Sequence, residues 1–107
     1  MTGSTMVIVH HGIEIDMEAL AEVCRRYHVR ELSLFGSVLR DDFRAESDID
    51  VLVEYEPDAR VSLFDMSDLR YELIDLFGRE VDLVSKRGLK PGYREHILST
   101  CEHLYAA

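Results

Sequence analysis

The sequence predicts an α/β domain of the α+β kind, in which helices cover one face of a small mixed β-sheet. Two patterns support this: short apolar runs of strand length, and amphipathic stretches whose apolar residues recur every three or four positions. They follow one another in the order helix, strand, strand, helix, strand, helix. This order predicts one layered core. Acidic residues inside two of the strands indicate that the uncovered face of the sheet carries the chemistry.

Chain length and composition indicate one soluble domain. The 107 residues suffice for a single core but leave no room for a second domain that would bind an acceptor molecule. Hydrophobic residues make up 47% of the chain, and no apolar run approaches the roughly 20 residues of a membrane span. The first residues lack the basic and apolar regions of a signal peptide, so we expect a cytoplasmic protein without membrane contact.

The formal net charge of −9 argues against nucleic acid as a partner, because phosphate backbones are bound mainly by lysine and arginine. The pairs Arg25-Arg26 and Lys86-Arg87 are isolated, and we interpret them as solvated surface. An acidic domain is suited instead to a basic protein partner, which complementary fields would attract.

The N-terminal part of the chain is divided into an extension, residues 1–15, and the start of the domain proper, residues 16–107. Met6 to Val9 has strand propensity and is expected to form an edge strand, with partial disorder of the extension as the alternative. Asp16 is placed to cap a first helix that runs to Val29. Apolar or aromatic residues recur along it at helical spacing, at Met17, Leu20, Ala21, Cys24 and His28.

A strand from Glu31 to Phe35 ends in the turn Gly36-Ser37, followed by a short helical turn. A strand that feeds a helix N-terminus through glycine directs backbone N–H groups at an anion, and a triphosphate is the anion expected here. Gly36 permits close approach of the backbone, Ser37 offers its hydroxyl and amide, and Arg40 lies one turn further on. An ordinary turn is the alternative for Gly-Ser alone.

The next predicted strand, Ser47 to Glu54, carries two carboxylates separated by one residue. Successive side chains of a strand point to opposite faces, so Asp48 and Asp50 share one face while Ile49 enters the other. Like charges this close repel each other, and a divalent cation is the natural compensation. Ligand sets made only of oxygen suit Mg²⁺ or Mn²⁺.

A second helix is predicted from Ser62, where the spacing to Asp65 indicates a capping box, to Phe77, with Gly78 as the stop. Its apolar stripe marks a helix packed on a sheet. The strand Glu80 to Val84 follows with an acid, Asp82, that is out of place unless it pairs. If this strand lies beside the one that carries Asp48, Asp82 joins the acidic cluster as third metal ligand and candidate general base.

A last helix is predicted to begin at Pro91 and to continue past Thr100. Its apolar stripe comprises Tyr93, Ile97, Leu98, Cys101, Leu104 and Tyr105. Cys24 and Cys101 fall at apolar helical positions and are expected to be free, buried thiols. His96 and His103 share a face of this predicted helix, but without a nearby acid or cysteine they remain a weak metal site.

The combination of Gly36-Ser37, ten intervening residues and Asp48-x-Asp50 resembles the signature of the DNA polymerase β-type nucleotidyltransferase superfamily, and within it the minimal nucleotidyltransferases, or MNT proteins. The resemblance runs from about Leu20 to the C-terminus and includes Ser47 and Glu80 to Val84. It departs in the turn, where the family often reads Ala-Arg-Gly: here Arg40 is retained but an acid replaces the glycine.

The resemblance implies a nucleotidyltransferase fold and transfer of a nucleoside monophosphate, usually from ATP, to an acceptor. It implies a two-metal mechanism in which Asp48, Asp50 and Asp82 are the catalytic residues and ligands of two Mg²⁺ or Mn²⁺ ions. The nucleotide would be held by Gly36, Ser37, Arg40 and Ser47.

The resemblance also implies an antitoxin of a HEPN/MNT toxin–antitoxin module, of the type VII kind, which inactivates its partner RNase by adding AMP to a tyrosine. A hetero-oligomer with the HEPN toxin is then expected, and a homodimer is compatible with it. One alternative is transfer to a small molecule such as an aminoglycoside, with a partner chain supplying the missing domain. Another is a non-catalytic antitoxin that masks its toxin by contact.

Overall fold

The computed structural model describes residues 7–10, 12–39 and 48–107. It begins with an antiparallel hairpin of β1, Val7–His10, and β2, Ile13–Asp16. The strand expected near Met6 to Val9 is therefore present as β1, but it pairs in its own two-stranded sheet and not at the edge of the main one. Ile13 and Ile15 of β2 are buried in the core, so the hairpin is packed against the domain.

The first helix, α1, spans Met17–Arg26. Asp16 caps it as predicted, because its carboxylate accepts hydrogen bonds from the backbone N–H groups of Glu18, at 3.1 Å, and Ala19, at 3.2 Å. The predicted extension to Val29 is wrong. His28 has a positive φ of 59° and is exposed, so the chain leaves the helix there and enters the next strand.

The main sheet is mixed, as predicted, and has the strand order β5-β4-β3-β6. Its strands are β3, Val29–Phe35; β4, Ile49–Tyr55; β5, Val81–Ser85; and β6, Glu102–Ala106. Strand β3 runs antiparallel to β4 and β6, whereas β4 and β5 are parallel. The connection between the parallel strands is the second helix.

Helix α2 spans Leu63–Phe77 and is bounded as predicted. The Ser62 hydroxyl accepts from the N–H of Asp65, while the N–H of Ser62 donates to the Asp65 carboxylate and holds its pKa below the usual range. Gly78 ends the helix with a φ of 70°. Helices α1 and α2 pack on one face of the sheet, where the buried strand residues are Leu32, Leu34, Ile49, Val51, Val53, Val81 and Leu104.

The C-terminal region differs from its prediction. Helix α3 spans only Pro91–Thr100, and the residues that follow form β6, which pairs with β3. Helical spacing through Leu104 and Tyr105 also allows the alternation of a strand, and burial of Leu104 against the core decides in favour of the strand. His96 and His103 consequently lie in different elements. Of the two cysteines, Cys24 is buried as expected, but Cys101 is only half-buried at the end of α3.

No helix among the described residues is both long and apolar enough to span a bilayer.

Candidate active site

Two of the predicted catalytic carboxylates meet through the register of the parallel strands. Asp50 of β4 is the direct neighbour of Asp82 of β5, and Ile49 is the neighbour of Val81. Ile49 and Val81 are buried against the helices, so the two carboxylates project from the other face, which we call the acid face. The condition under which Asp82 joins the acid pair, adjacency of the two strands, is thus met.

The Gly-Ser turn adjoins this pair. Phe35, the last residue of β3, is the register partner of Asp50, and the chain then enters a 3-10 turn, Gly36–Leu39, anchored by buried Val38. Gly36 has a φ of 73°. A Cβ built on Gly36 would collide with the Asp50 carboxylate, with its Cγ only 3.2 Å away. Glycine is required here both for the left-handed backbone and for contact between the turn and the acid.

The three acids differ in exposure. Asp48 precedes β4 and is exposed, as is Asp82, whereas Asp50 is half-buried between its neighbours. Asp50 is therefore fixed by the turn and the sheet, while Asp48 and Asp82 face outward. This surface can be reached by a large molecule as well as by a nucleotide.

The donor set fits a hard divalent cation in its chemistry, because all three predicted ligands are carboxylates. The backbone register also brings two of them side by side. Among the described residues, however, no three metal-ligating side chains are gathered closely enough to hold an ion. Asp48 and Asp82 are exposed, so burial does not confine either side chain to one rotamer.

The remaining predicted nucleotide ligands lie largely outside the described residues. Arg40 and Ser47 belong to the segment 40–47, which is not among them, and of Ser37 only the backbone is described. Their assignment as nucleotide ligands stays a prediction.

A polar cluster on the acid face was missed by sequence reasoning. Ser33 and Glu31 of β3 lie two and four residues before Phe35, so they share its face, which is the face of Asp50. The Ser33 hydroxyl lies 2.8 Å from Nδ1 of His103 in β6, and the same nitrogen lies 3.3 Å from Oε1 of Glu31. The cluster was missed because His103 had been assigned to a helix. The available signal was the polar-apolar alternation of His103 and Leu104.

A cavity of about 510 Å³ lies at the far end of the same strands. It is lined by the last residues of β4 and β5, including Tyr55 and Ser85, by the start of α2 and by Arg94 of α3. The three acids do not line it. Among the residues that the structure describes, the acids and this cavity are therefore separate features.

Comparison with known proteins agrees with the motif and the fold. A sequence model of the family described as nucleotidyltransferase domain matches residues 16–103. The protein adenylyltransferase MntA of Thermococcus cleftensis is 39% identical over 77 residues, which cover 72% of this chain and 76% of the relative.

Solved structures share the architecture. One that is provisionally described as a minimal nucleotidyltransferase is 39% identical, with a TM-score of 0.66 over 81% of this chain and 85% of the other. A toxin–antitoxin complex with AMP-PNP aligns with a TM-score of 0.68 and 19% identity over 87% of this chain and 75% of that one. A tri-AMPylated Shewanella oneidensis HEPN toxin in complex with MNT antitoxin aligns with a TM-score of 0.60 and 19% identity, over 85% of this chain and 70% of that one. At 19% identity the likeness shows the fold alone.

Proposed function

Because this chain belongs to the nucleotidyltransferase domain family, we propose that it is a metal-dependent protein adenylyltransferase that acts as an antitoxin. It transfers AMP from ATP to a tyrosine hydroxyl of a partner HEPN toxin and thereby neutralises that toxin. The observation that carries the proposal is the in-register pair of Asp50 and Asp82 beside the Gly36 turn. Use of ATP fits the cytoplasm as the place of the reaction.

Each site residue has a role in this reaction. We assign Asp48 and Asp50 as ligands shared by two Mg²⁺ or Mn²⁺ ions and Asp82 as a ligand on the acceptor side. Metal held there would neutralise charge on the triphosphate and on the leaving pyrophosphate. Gly36 lets the triphosphate approach the backbone of the turn, with Ser37, Arg40 and Ser47 as further contacts.

The chemical step needs little from the protein beyond alignment of the reactants and removal of one proton. The tyrosine oxygen forms a bond to the α-phosphorus of ATP, the bond from that phosphorus to the bridging oxygen breaks, and pyrophosphate leaves. The exposed carboxylate of Asp82 is the candidate base that accepts the hydroxyl proton.

A protein acceptor is supported by the openness of the site. Asp48 and Asp82 are exposed, and the described residues provide no enclosing wall of the kind that surrounds a small acceptor. The relative MntA is named a protein adenylyltransferase, and one complex that shares the fold contains a tri-AMPylated HEPN toxin with its MNT antitoxin. The net charge of −9 favours a partner with basic surface, as expected of an RNA-cleaving enzyme.

The test is incubation with ATP, Mg²⁺ and the HEPN protein encoded by the neighbouring gene, followed by mass spectrometry of that protein. An AMP-sized mass gain on a tyrosine peptide is expected with the wild type and should be absent with Asp48→Asn. Equal neutralisation of the toxin by wild type and Asp48→Asn, with no mass gain in either, would favour masking by contact. Transfer to an aminoglycoside in place of the toxin would favour the small-molecule alternative.

A further inference from the structure

One segment of this acidic chain has the opposite charge. Residues 86–94 contain four cations, Lys86, Arg87, Lys90 and Arg94, and no acid, in a chain of net charge −9. They occupy the 3-10 turn Lys86–Gly88 and the start of α3. This turn follows the end of β5, so the cations lie at the opposite end of the strand from Asp82.

The same segment forms one wall of the cavity of about 510 Å³. Lys86, Arg87 and Arg94 line it together with polar residues and with apolar ones, among them Val61, Leu63 and Met66. A second cavity, of about 560 Å³, lies along α3, where Pro91, Glu95 and Leu98 line it, and it shares Arg94 with the first. We call the two together the basic groove.

Leu63, which lines the basic groove, and two sequence neighbours of lining residues are large, exposed apolar side chains, which we call the apolar rim. Leu63 and Phe64, at the start of α2, are 86% and 83% exposed, and Tyr93 of α3 is 64% exposed. Helix α3 buries none of its residues in the described part of the chain. Adjacent exposed apolar groups beside a concave surface are typical of a protein-binding site.

The cavity wall also holds a hydrogen-bond donor. The hydroxyl of Tyr55 is buried and has no hydrogen-bond partner among the described residues. Burial, with a smaller effect of nearby Asp65, raises the pKa of Tyr55 to about 12, so the phenol keeps its proton. Because this hydroxyl has almost no accessible surface, it shapes the cavity wall but does not itself contact an occupant.

We propose that the basic groove docks an acidic segment of the protein acceptor, one whose carboxylates lie next to apolar side chains. This inference rests on the proposed function for the existence of a protein acceptor. The carboxylates pair with Arg87 and Arg94, which line the groove, and with exposed Lys90 next to Pro91, while the apolar side chains cover Leu63 and Phe64. The position of the Arg94 side chain is fixed by a hydrogen bond, because its Nη1 donates to the carbonyl of Lys86 at 2.8 Å.

A protein segment suits the groove better than a nucleic acid. Glu54 and Glu56 line the same cavity, and Glu54 already pairs with Lys86 at 3.2 Å. A continuous phosphate backbone would meet these carboxylates and the acidic remainder of the chain, whereas a peptide can place a few carboxylates only where the cations are.

The position of the groove separates docking from chemistry. From Asp50 to Tyr55 the strand advances by roughly 17 Å at about 3.3 Å per residue. An acceptor anchored in the basic groove can therefore span the sheet and present its tyrosine to the acid face. Loss of docking should raise KM for the acceptor and leave kcat nearly unchanged, since the groove makes no contact with the reacting atoms.

The experiment compares groove variants with matched controls, using the purified HEPN toxin as probe. The variants are Arg87→Glu with Lys90→Glu, and Phe64→Ser; the controls are Arg25→Glu, an exposed cation of α1, and Tyr71→Ser, an exposed aromatic residue of α2. Calorimetry should show Kd for the toxin raised about tenfold or more by the groove variants, more at low than at high salt for the charge reversal. The controls should stay within about twofold, and KM for the toxin in AMP transfer should rise in parallel with Kd.

Each outcome has a distinct meaning. Unchanged affinity of the groove variants, or failure of the wild type to bind the toxin, overturns the docking surface. Loss of binding to a labelled RNA oligonucleotide in these variants, with toxin binding intact, assigns the groove to nucleic acid and also overturns it. A toxin that binds through the groove but gains no AMP supports the docking surface and overturns the proposed transfer.

Discussion

The two ends of strand β4 differ in the residues that surround them. At its start, Asp50 lies between Gly36 and Asp82, and the site is polar and held by backbone register. At its end, Tyr55 faces a cavity with cations on one side and exposed apolar residues on the other. The acid end depends on close contacts within the domain, whereas the basic end leaves Leu63 and Phe64 exposed. This difference fits the proposals above, in which the acid end carries out the transfer and the basic end binds a partner protein.

The largest effect is expected at the acid end, from Asp48→Asn with Asp50→Asn. We expect AMP transfer to fall by roughly 100-fold or more, since loss of preorganised charge at a reacting centre has effects of this size. Calorimetric titration with Mn²⁺ should show the loss of metal affinity. The free energy of unfolding without metal should be unchanged or higher, because repulsion between neighbouring carboxylates is removed. Metal binding by the double variant equal to that of wild type would contradict the assignment.

The contact between Gly36 and Asp50 can be isolated by a pair of glycine variants. Gly36 and Gly78 have φ angles of 73° and 70°, but a Cβ at Gly78 meets nothing within 4 Å. Gly78→Ala should therefore lose only about 1–2 kcal/mol of the free energy of unfolding, the cost of a left-handed alanine. Gly36→Ala should lose more and should also weaken ATP binding.

Chemical denaturation with parallel ATP titration measures both quantities. Equal stability losses in the two glycine variants, with ATP affinity intact in both, would mean that the turn does not act through Asp50.

At the basic end, Tyr55→Phe removes a buried hydroxyl that lacks a partner. The free energy of unfolding should stay the same or rise by about 1 kcal/mol, the usual cost of such a group. Affinity for the toxin should be unchanged, because the buried hydroxyl cannot reach a partner. A loss of stability on substitution, measured by thermal unfolding, would mean that the hydroxyl is satisfied within the domain.

The same variant changes the response to alkaline pH. The pKa of Tyr55 is about 12 in the folded state and 10.0 ordinarily. Between these two pH values the folded state therefore keeps a proton that the unfolded state releases. The stability contributed by this group is complete below pH 10 and is lost as pH rises towards 12. Thermal unfolding from pH 9 to 11.5 should therefore show a shallower decline for Tyr55→Phe than for wild type.

The smallest effect on stability is expected from the apolar rim. Phe64→Ser should change the free energy of unfolding by no more than about 0.5 kcal/mol, because the side chain is 83% exposed. Leu69→Ala, one and a half turns along the same helix but fully buried, should cost about 2–5 kcal/mol. Urea unfolding of the two variants makes the comparison, and similar losses in both would show that Phe64 packs within the domain.

The acid end was accessible from sequence because its signals are local. Strand alternation predicts Asp48 and Asp50 on one face without tertiary information, and Gly36 follows directly from the strand before it. Adjacency of Asp82 needed only the assumption of neighbouring strands. That the side chains are not gathered as a metal site is a matter of rotamers, which spacing cannot specify.

The basic end and β6 were missed for a different reason. Lys86 and Arg87 were interpreted as solvated surface, because the groove exists only when they lie opposite Leu63, which is distant in sequence. Likewise, Ile97, Leu98, Cys101 and Leu104 satisfy helical spacing, and only pairing with β3 shows where the helix ends. Local patterns identify residues that act with their neighbours and fail for surfaces assembled from separate segments.

Because the described α3 contains no buried residue, this helix should open locally more often than the rest of the domain. A ten-residue helix without a side-chain cap or a buried face has little stability of its own, since isolated helices shorter than roughly 12–15 residues are marginal in water. The strands on either side are paired, so α3 can open while the sheet stays intact. Its amide hydrogens should then exchange with solvent through local opening, far faster than those of β3 and β4.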